Sequence, residues 1–359
     1  MSNAAGPLTG LKVIEFAGIG PGPHVAMLLA DLGAEVVRID RPGGGVMNPI
    51  VERARNRVMV DLKSDEGKAF CLDAASKADV LIEGLRPGVM ERLGMGPDEL
   101  LAANPRLVYA RMTGWGQEGP LAKAAGHDIN YIAITGALDA IGKPGEPAIP
   151  PQNLVGDFGG GSMYCAFGIM AALYERERSG KGQVVDAAIV DGVTSLMSFF
   201  FGQQQGAIRT TKRGKGLLGG GAHFYQCYEC ADGKEISLGS IEPQFYAELV
   251  ARAGLPEDVA TTQMDPSKWS ENKDKLAALF KTKTQAEWNE LLEGTDVCYG
   301  PVVPLDEVHE HPHMKARSAY VEHEGKLHPA PAPRFSRTPG AVRSSADDGA
   351  AIVAGWSKD

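Results

Sequence analysis

Two short stretches hold the residues best suited to chemistry. In "GHDINYI", residues 126–132, His127 follows a glycine and opens an amphipathic run. In "NLVGDFGGGSMY", residues 153–164, Asp157 stands just before three glycines and a long apolar segment. An imidazole and a carboxylate, one at each helix entrance, make an acid–base pair in outline. Each also has a plainer reading. His127 could cap or decorate a surface helix, and Asp157 could be an N-cap worth about 1 kcal/mol. Three successive glycines exceed what a cap requires, however. They would bare backbone N–H groups where negative charge could develop.

Other candidates are weaker. Cys227 and Cys230, in "CYEC", have the spacing of half a zinc site, but no second pair lies nearby. Two strand residues near a hairpin turn is the simpler account. His309, His311 and His313 alternate in "HEHPHMKAR", but Pro312 interrupts them and no acidic partner is placed by the sequence. A solvated turn explains them better than a metal does. The opening "EFAGIGPGPHVAMLLADLGAEVVRIDRP", residues 15–42, has the strand, glycine turn, helix, strand and terminal acid of a dinucleotide-binding unit. Its third glycine slot is Pro23, and Pro21 and Pro23 lack the N–H groups that would cradle a pyrophosphate. NAD is therefore disfavoured. Arg41, directly after Asp40, suits a phosphate better than a ribose diol.

These residues must be held by a larger frame. Over the first 112 residues, β-branched runs ("LKVIEF", "EVVRI", "RVMVDL", "ADVLIEGL", "RLVYARM") alternate with helical stretches at 23–32, 65–77 and 97–103. Such alternation predicts an α/β fold with an open, mostly parallel sheet. Ligands of such sheets sit at the carboxyl ends of the strands, so "IEGLRPG" and "ARMTGWG" are candidate site walls. The pattern predicts one long buried helix over 159–179, a strand in "GQVVDAAIVDG", and another apolar helix in "VTSLMSFFFGQQQG". Residues 207–221, "AIRTTKRGKGLLGGG", have no periodicity and are expected to be a linker or mobile loop. "FYQCYECADGKEISLG" predicts a hairpin turning at Asp232-Gly233. Helices are expected at about 243–253, 271–281 and 285–293, the last opened by Thr284 and Glu287 at capping-box spacing. The division expected is a large domain over 1–206, completed by 301–359, with a small α+β domain over 222–300.

Composition narrows the function classes. The 359 residues are 43% hydrophobic and 23% charged, ordinary values for a soluble globular chain. A net charge of −9 argues against nucleic acid as the main partner, while clustered arginines could still hold an anion. No apolar run reaches the ~18 residues of a membrane helix, so no membrane insertion is expected. The start "MSNAAGPLTG" has neither a basic region nor an apolar core, and the end "GWSKD" is not a peroxisomal signal. Five scattered cysteines fit a reducing compartment, and the expected location is cytoplasmic.

Several motifs together resemble the alpha-methylacyl-CoA racemases of the class III CoA-transferase superfamily. They are "LKVIEFAGIGPGPHVAMLLADLGAEVVRIDRP", "VDLKSDEG", "DVLIEGLRPGVMERLGMG", "YARMTGWGQEGP", "AGHDINYIAITGAL", "NLVGDFGGGSM", "RERSGKGQVVDAAIVDG" and "PAPRFSRTPG". The match runs in register over nearly the whole chain and is densest in 11–192. The resemblance implies a Rossmann-like large domain that binds coenzyme A, a small domain, and an interlocked homodimer. It implies His127 and Asp157 as the two catalytic bases, with Glu242 of "SIEPQFY" orienting the histidine from the partner subunit. Arg41 is similar to an arginine at the adenosine-phosphate end of CoA, and Arg57, Arg86 and Arg92 fall in segments that line its channel. Gly126, Asp128, Ile129, Asn130 and Tyr131 around the histidine, and Asn153 and Gly156 around the aspartate, are implied substrate contacts. Asp128 is otherwise a helper of the pair or a surface cap.

The implied reaction interconverts R and S forms of a 2-methyl-branched acyl-CoA by α-proton abstraction, an enolate, and reprotonation on the opposite face. No metal or redox cofactor is expected, since CoA is part of the substrate. Met-containing helices would supply a soft acyl pocket. The alternative is a class III CoA transferase, in which Asp157 is a nucleophile forming mixed anhydrides. Such transferases lack a histidine at the position of His127.

Overall fold

The computed structural model describes residues 6–206 and 212–357. Two compact units divide the chain: Met1–Ala137, Pro151–Ser198 and Lys315–Asp359 form the first, and Leu138–Pro150 with Phe199–Met314 the second.

The first unit is a parallel six-stranded sheet wrapped by helices. Its strands are β1 (Lys12–Phe16), β2 (Glu35–Asp40), β3 (Arg55–Met59), β4 (Val80–Glu83), β5 (Val108–Thr113) and β6 (Val184–Ala188). Their spatial order is β3-β2-β1-β4-β5-β6. Strands buried on both faces read as continuous apolar runs, which is why "VLIE" of β4 is buried at all four residues. Ile14 sits opposite Val37 on one side and Leu81 on the other. These three pack with Tyr109, Met90, Met95, Leu100 and Leu107 in one core.

The helices α1 (Pro21–Asp31), α2 (Asp65–Lys77) and α4 (Pro97–Ala103) follow strands as the alternation predicts, and a short α3 (Val89–Arg92), not expected from the sequence, precedes α4. Ser64 caps α2, its Oγ accepting the Gly67 N–H at 3.0 Å. A short helix, α5 (Asp128–Ala133), comes after β5. The strand order reverses direction between β1 and β4, the place where such sheets open a crevice for ligands.

The segment expected as one helix over 159–179 is different. It enters five residues earlier, as a π-helix at Leu154–Met163, and becomes α-helical only at Tyr164–Ser179. Its first wide turn is closed by the Phe158 N–H donating to Asn153 O at 3.1 Å, five residues back. Glycines 156 and 159–161 leave room for this turn, which side chains would crowd. The later strand is β6, and the stretch expected as one apolar helix, "VTSLMSFFFGQQQG", is divided between two helices, Ile189–Leu196 and Ser198–Gln205.

An ion network behind β1–β3 fixes residues 51–57. Arg55 is fully buried and pairs with Glu15 at 3.0 Å, while its other nitrogens donate to the carbonyls of Pro23, Val51 and Arg53. Arg38 pairs with Glu52 at 3.0 Å and with Asp40 at 3.1 Å. Removing one partner of such a set strands a buried charge, at a cost of about 3–5 kcal/mol.

The second unit has an antiparallel sheet of β7 (Tyr225–Glu229), β8 (Glu235–Gly239) and β9 (Tyr299–Pro301). The hairpin turns at Asp232-Gly233 as expected. Helices Pro243–Ala253, Trp269–Phe280 and Gln285–Leu292 cover a core that includes Phe224, Tyr228, Phe280 and Trp288. Thr284 and Glu287 form the expected capping box, the Thr284 N–H donating to Glu287 Oε2 at 2.8 Å. Residues 207–211 of the expected linker lie outside the described residues. Residues 212–221 hold a short 3-10 turn at Leu217–Gly219, and Arg213 is bonded to Asp139.

The clustered histidines go to carboxylates, His309 to Glu310 at 3.1 Å and His311 to Glu293 at 3.0 Å. Among the described residues no three metal-ligating side chains are grouped, and no helix is long and apolar enough to cross a membrane. All five cysteines are unpaired.

Candidate active site

One cleft of 660 Å³ opens at the carboxyl ends of β1, β4 and β5, within the first unit. Its wall includes the glycine turn 18–22 after β1, the loop 84–87 after β4, and 113–115 after β5. His127 and Asp157 both line it, brought from different elements. So do Arg86, Gly126, Asn130 and Tyr131. Both glycine loops expected as site walls, "IEGLRPG" and "ARMTGWG", contribute to it.

His127 is exposed at the N-cap of α5 in extended backbone. Its N–H donates to Asn130 Oδ1 at 3.0 Å, which holds the backbone of the first turn. Tyr131 donates its hydroxyl to Gly126 O and meets Trp115 edge-on at 4.8 Å. The helix entrance is thus braced on both sides of the imidazole.

Asp157 is not an N-cap; the cap position is Asn153, and Asp157 lies inside the π-helix. Its carboxylate packs against the turn after β1, where a Cβ on Gly20 would lie 3.0 Å from Oδ2. Gly20 also has φ 71°, in the left-handed region. The glycine turn that looked like a nucleotide fingerprint therefore seats a carboxylate. Asn153 Nδ2 donates to Asp157 Oδ2 at 3.4 Å. Burial pushes the Asp157 carboxyl above the usual range; the Asn153 bond opposes this, the nearby Asp128 charge adds to it, and His127 opposes it.

The segment carrying Asp157 is anchored from behind. Ser162, fully buried, donates to Phe158 O at 3.0 Å and meets His24 Nδ1 at 2.7 Å. Burial, then the charges of Arg55 and Arg53, lower His24 to about 4, so its ring is neutral at pH 7.

The remaining expected residues fall elsewhere. Asp128, Ile129, Asn153 and Gly156 are not part of the cleft wall. Asp128 instead turns its carboxylate to the π-helix, accepting the Asp157 N–H at 2.6 Å. The expectation that N–H groups around Asp157 are bare is thus corrected: those of Asp157 and Phe158 are occupied. Arg57 is paired with Asp40 at 3.0 Å, and its buried Nη2 has no hydrogen-bond partner among the described residues. Arg41 and Arg92 are exposed without an ion pair among the described residues. Glu242 is exposed in the second unit, at the N-cap of Pro243–Ala253.

A second hollow, of 520 Å³, lies in the second unit and includes Cys227 and Cys298. No carboxylate or imidazole lines it, and burial raises both thiols, so neither is primed as a nucleophile.

Sequence reasoning missed Trp115, the Gly20 seat of Asp157 and the bond from Asp157 to Asp128. Only "GWG" carried a local signal.

The chain is 45% identical to the alpha-methylacyl-CoA racemase of Mus musculus over 342 residues, covering 95% of this chain and 89% of that one. It is 45% identical to the racemase of that name from Homo sapiens, covering 92% and 87%. The crystal structure of Rv3272 from M. tuberculosis superposes with a TM-score of 0.81 at 27% identity, covering 98% of this chain and 100% of that one. The sequence profile of CoA-transferase family III matches residues 8–348, and the chain belongs to that family.

Proposed function

We propose that this chain is an isomerase that interconverts the R and S epimers of 2-methylacyl-CoA thioesters. The observation that carries the reading is one cleft lined by an imidazole and a carboxylate from separate elements, His127 and Asp157. Two bases on opposite sides of a planar enolate invert its α-carbon: one removes the proton, the other returns one to the far face. The 45% identity to two racemases supports this assignment over acyl transfer.

The thioester carbonyl makes its α-carbon weakly acidic, and the electrons left by the departing proton become an enolate. His127 and Asp157 alternate as base and acid with the direction of reaction, each contributing about 10²–10⁴-fold. The elevated Asp157 carboxyl suits the acid half of this cycle. Proton transfer alone consumes no oxidant or reductant, so no cofactor is proposed beyond the CoA of the substrate.

Arg86 in the cleft wall, and Arg41, Arg57 and Arg92 outside it, are assigned to the CoA phosphates and their approach. A homodimer is proposed from the helix Tyr164–Ser179. Met163, Phe167, Met170 and Tyr174 form a stripe on one face, with Phe167 73% and Tyr174 70% exposed. Such a patch marks an interface. In the dimer, Glu242 of the partner subunit orients His127. The unpaired cysteines support a cytoplasmic location.

The test is proton NMR of a stereopure 2-methylacyl-CoA in D2O. Deuterium should enter C2 from either epimer with no acceptor acid present. Activity that appears only when a second free acid is supplied would assign Asp157 as a transferase nucleophile instead.

A further inference from the structure

Asp128 is adjacent to the proposed base His127, yet its carboxylate faces the other base. Oδ2 accepts the backbone N–H of Asp157 at 2.6 Å, across a separation of 29 residues. The approach is so close that a Cβ on Gly156 would lie 2.2 Å from Asp128 Oδ2. Glycine at 156 is therefore a condition of this contact. The other oxygen, Oδ1, is shielded from solvent and has no hydrogen-bond partner among the described residues. No cation pairs with Asp128 among those residues either. A carboxylate in this setting does two things. It pins the π-helical turn, and it presents an uncompensated charge to whatever stands beside that turn.

We infer that Asp128 is a positioning residue, whose carboxylate clamps the turn bearing Asp157 and sets a negative charge against it, so that Asp157 can hold a proton as well as take one. The inference rests on the two-base reading above. A racemase must work in both directions on epimers of nearly equal energy. In one direction Asp157 starts as carboxylate and His127 as imidazolium; in the other, Asp157 starts protonated and His127 neutral. The two forms share one proton. An ordinary carboxyl beside a histidine would almost never hold it. A neighbouring negative charge brings the two forms closer in energy.

The groups acting on Asp157 are few. Asp128 and His127 are the charged ones, and Tyr131 of α5 feels Asp157 in return. The first turn of α1 presents Pro21, Gly22 and Pro23, which carry no charge. Asp191, on the helix Ile189–Leu196, acts on Asp186 instead.

The experiment compares Asp128→Asn with Asp128→Ala. An asparagine Oδ1 still accepts the Asp157 N–H but carries no charge; alanine loses both. Two readouts are taken: the pH profile of kcat/KM, and the carboxyl 13C titration of Asp157, assigned by its loss in Asp157→Asn. Removing a negative neighbour lowers a carboxyl, so in Asp128→Asn both the Asp157 titration and the acid limb should move to lower pH. Its kcat should stay within about tenfold of wild type. Asp128→Ala should lose about 100-fold in kcat with KM little changed, the scale expected when a reacting group is displaced by about 1 Å. An Asp157 titration in Asp128→Asn that coincides with wild type would overturn the inference, as would near-normal turnover in Asp128→Ala. The NMR titration needs no turnover. An enzyme that exchanges no C2 proton at all would remove the racemase reading, while the titration still decides where the Asp128 charge acts.

Discussion

Arg41 and Asp40 are neighbours with opposite fates. Asp40 is buried and held by Arg38 and Arg57, so it is not free to bind a ribose. Arg41 is exposed at the end of β2, where a phosphate can reach it. Its contact would be equal in ground and transition states, so it should affect binding and not turnover. Arg41→Ala should raise KM for CoA esters about five- to tenfold at low salt, with kcat unchanged, since a charged hydrogen bond contributes about 1.5–3 kcal/mol and exposure weakens it. The loss should shrink at roughly 0.5 M salt, where the Debye length is only a few ångströms. Steady-state kinetics at two salt concentrations measures this; a normal KM with a depressed kcat would contradict it. At this scale the glycine-flanked polar residues His127 and Asp157 stood out in the sequence, and the structure brings both to one cleft. The bond from Asp128 to Asp157 did not stand out. It links residues 29 positions apart through a turn whose width no local pattern reports. Arg57 was equally opaque as a partner of Asp40: the pairing depends on the β2–β3 register, in which Arg38 stands opposite Arg57.

The strands and helices of the sheet followed from apolar runs and capping residues, and α2 and α4 lie at the bounds expected. The π-helix did not, because glycines carry no periodicity and an apolar run looks the same in either kind of helix. It is also the element the site depends on: α1, α5 and Ile189–Leu196 all pack against it. Its continuation, Tyr164–Ser179, was expected to be buried nearly all round. Only one face is, and Phe167 remains 73% exposed. That excess of apolar surface is the element-scale argument for a second copy of the chain. Phe167→Glu opens no core cavity, so the monomer should fold. Size-exclusion chromatography with light scattering should show a dimer for the wild type and a shift towards monomer for the variant. Racemisation should fall with it, because the proposed contact of the partner's Glu242 with His127 would be lost. A wild-type monomer, or a monomeric variant with full activity, would contradict the shared site.

For the whole molecule, sequence alternation led to the parallel sheet, and the sheet order predicts a crevice at the β1–β4 pair, where the order of the strands reverses. The cleft lined by His127 and Asp157 is found there, which joins the fold to the proposed chemistry. The central claim is that its two walls act on opposite hands of the substrate. It is tested most directly with stereopure R and S 2-methylacyl-CoA, His127→Ala and Asp157→Asn, each in D2O, following loss of the C2–H signal. Both variants should remain folded, since His127 is exposed and Asp157 is not an N-cap. Each should lose racemisation. Each should still exchange one epimer only, the one whose proton faces the surviving base, and the two variants should prefer opposite hands. Equal exchange of both epimers by either variant would contradict a two-sided site, and near-normal racemisation by folded His127→Ala would remove His127 from the mechanism.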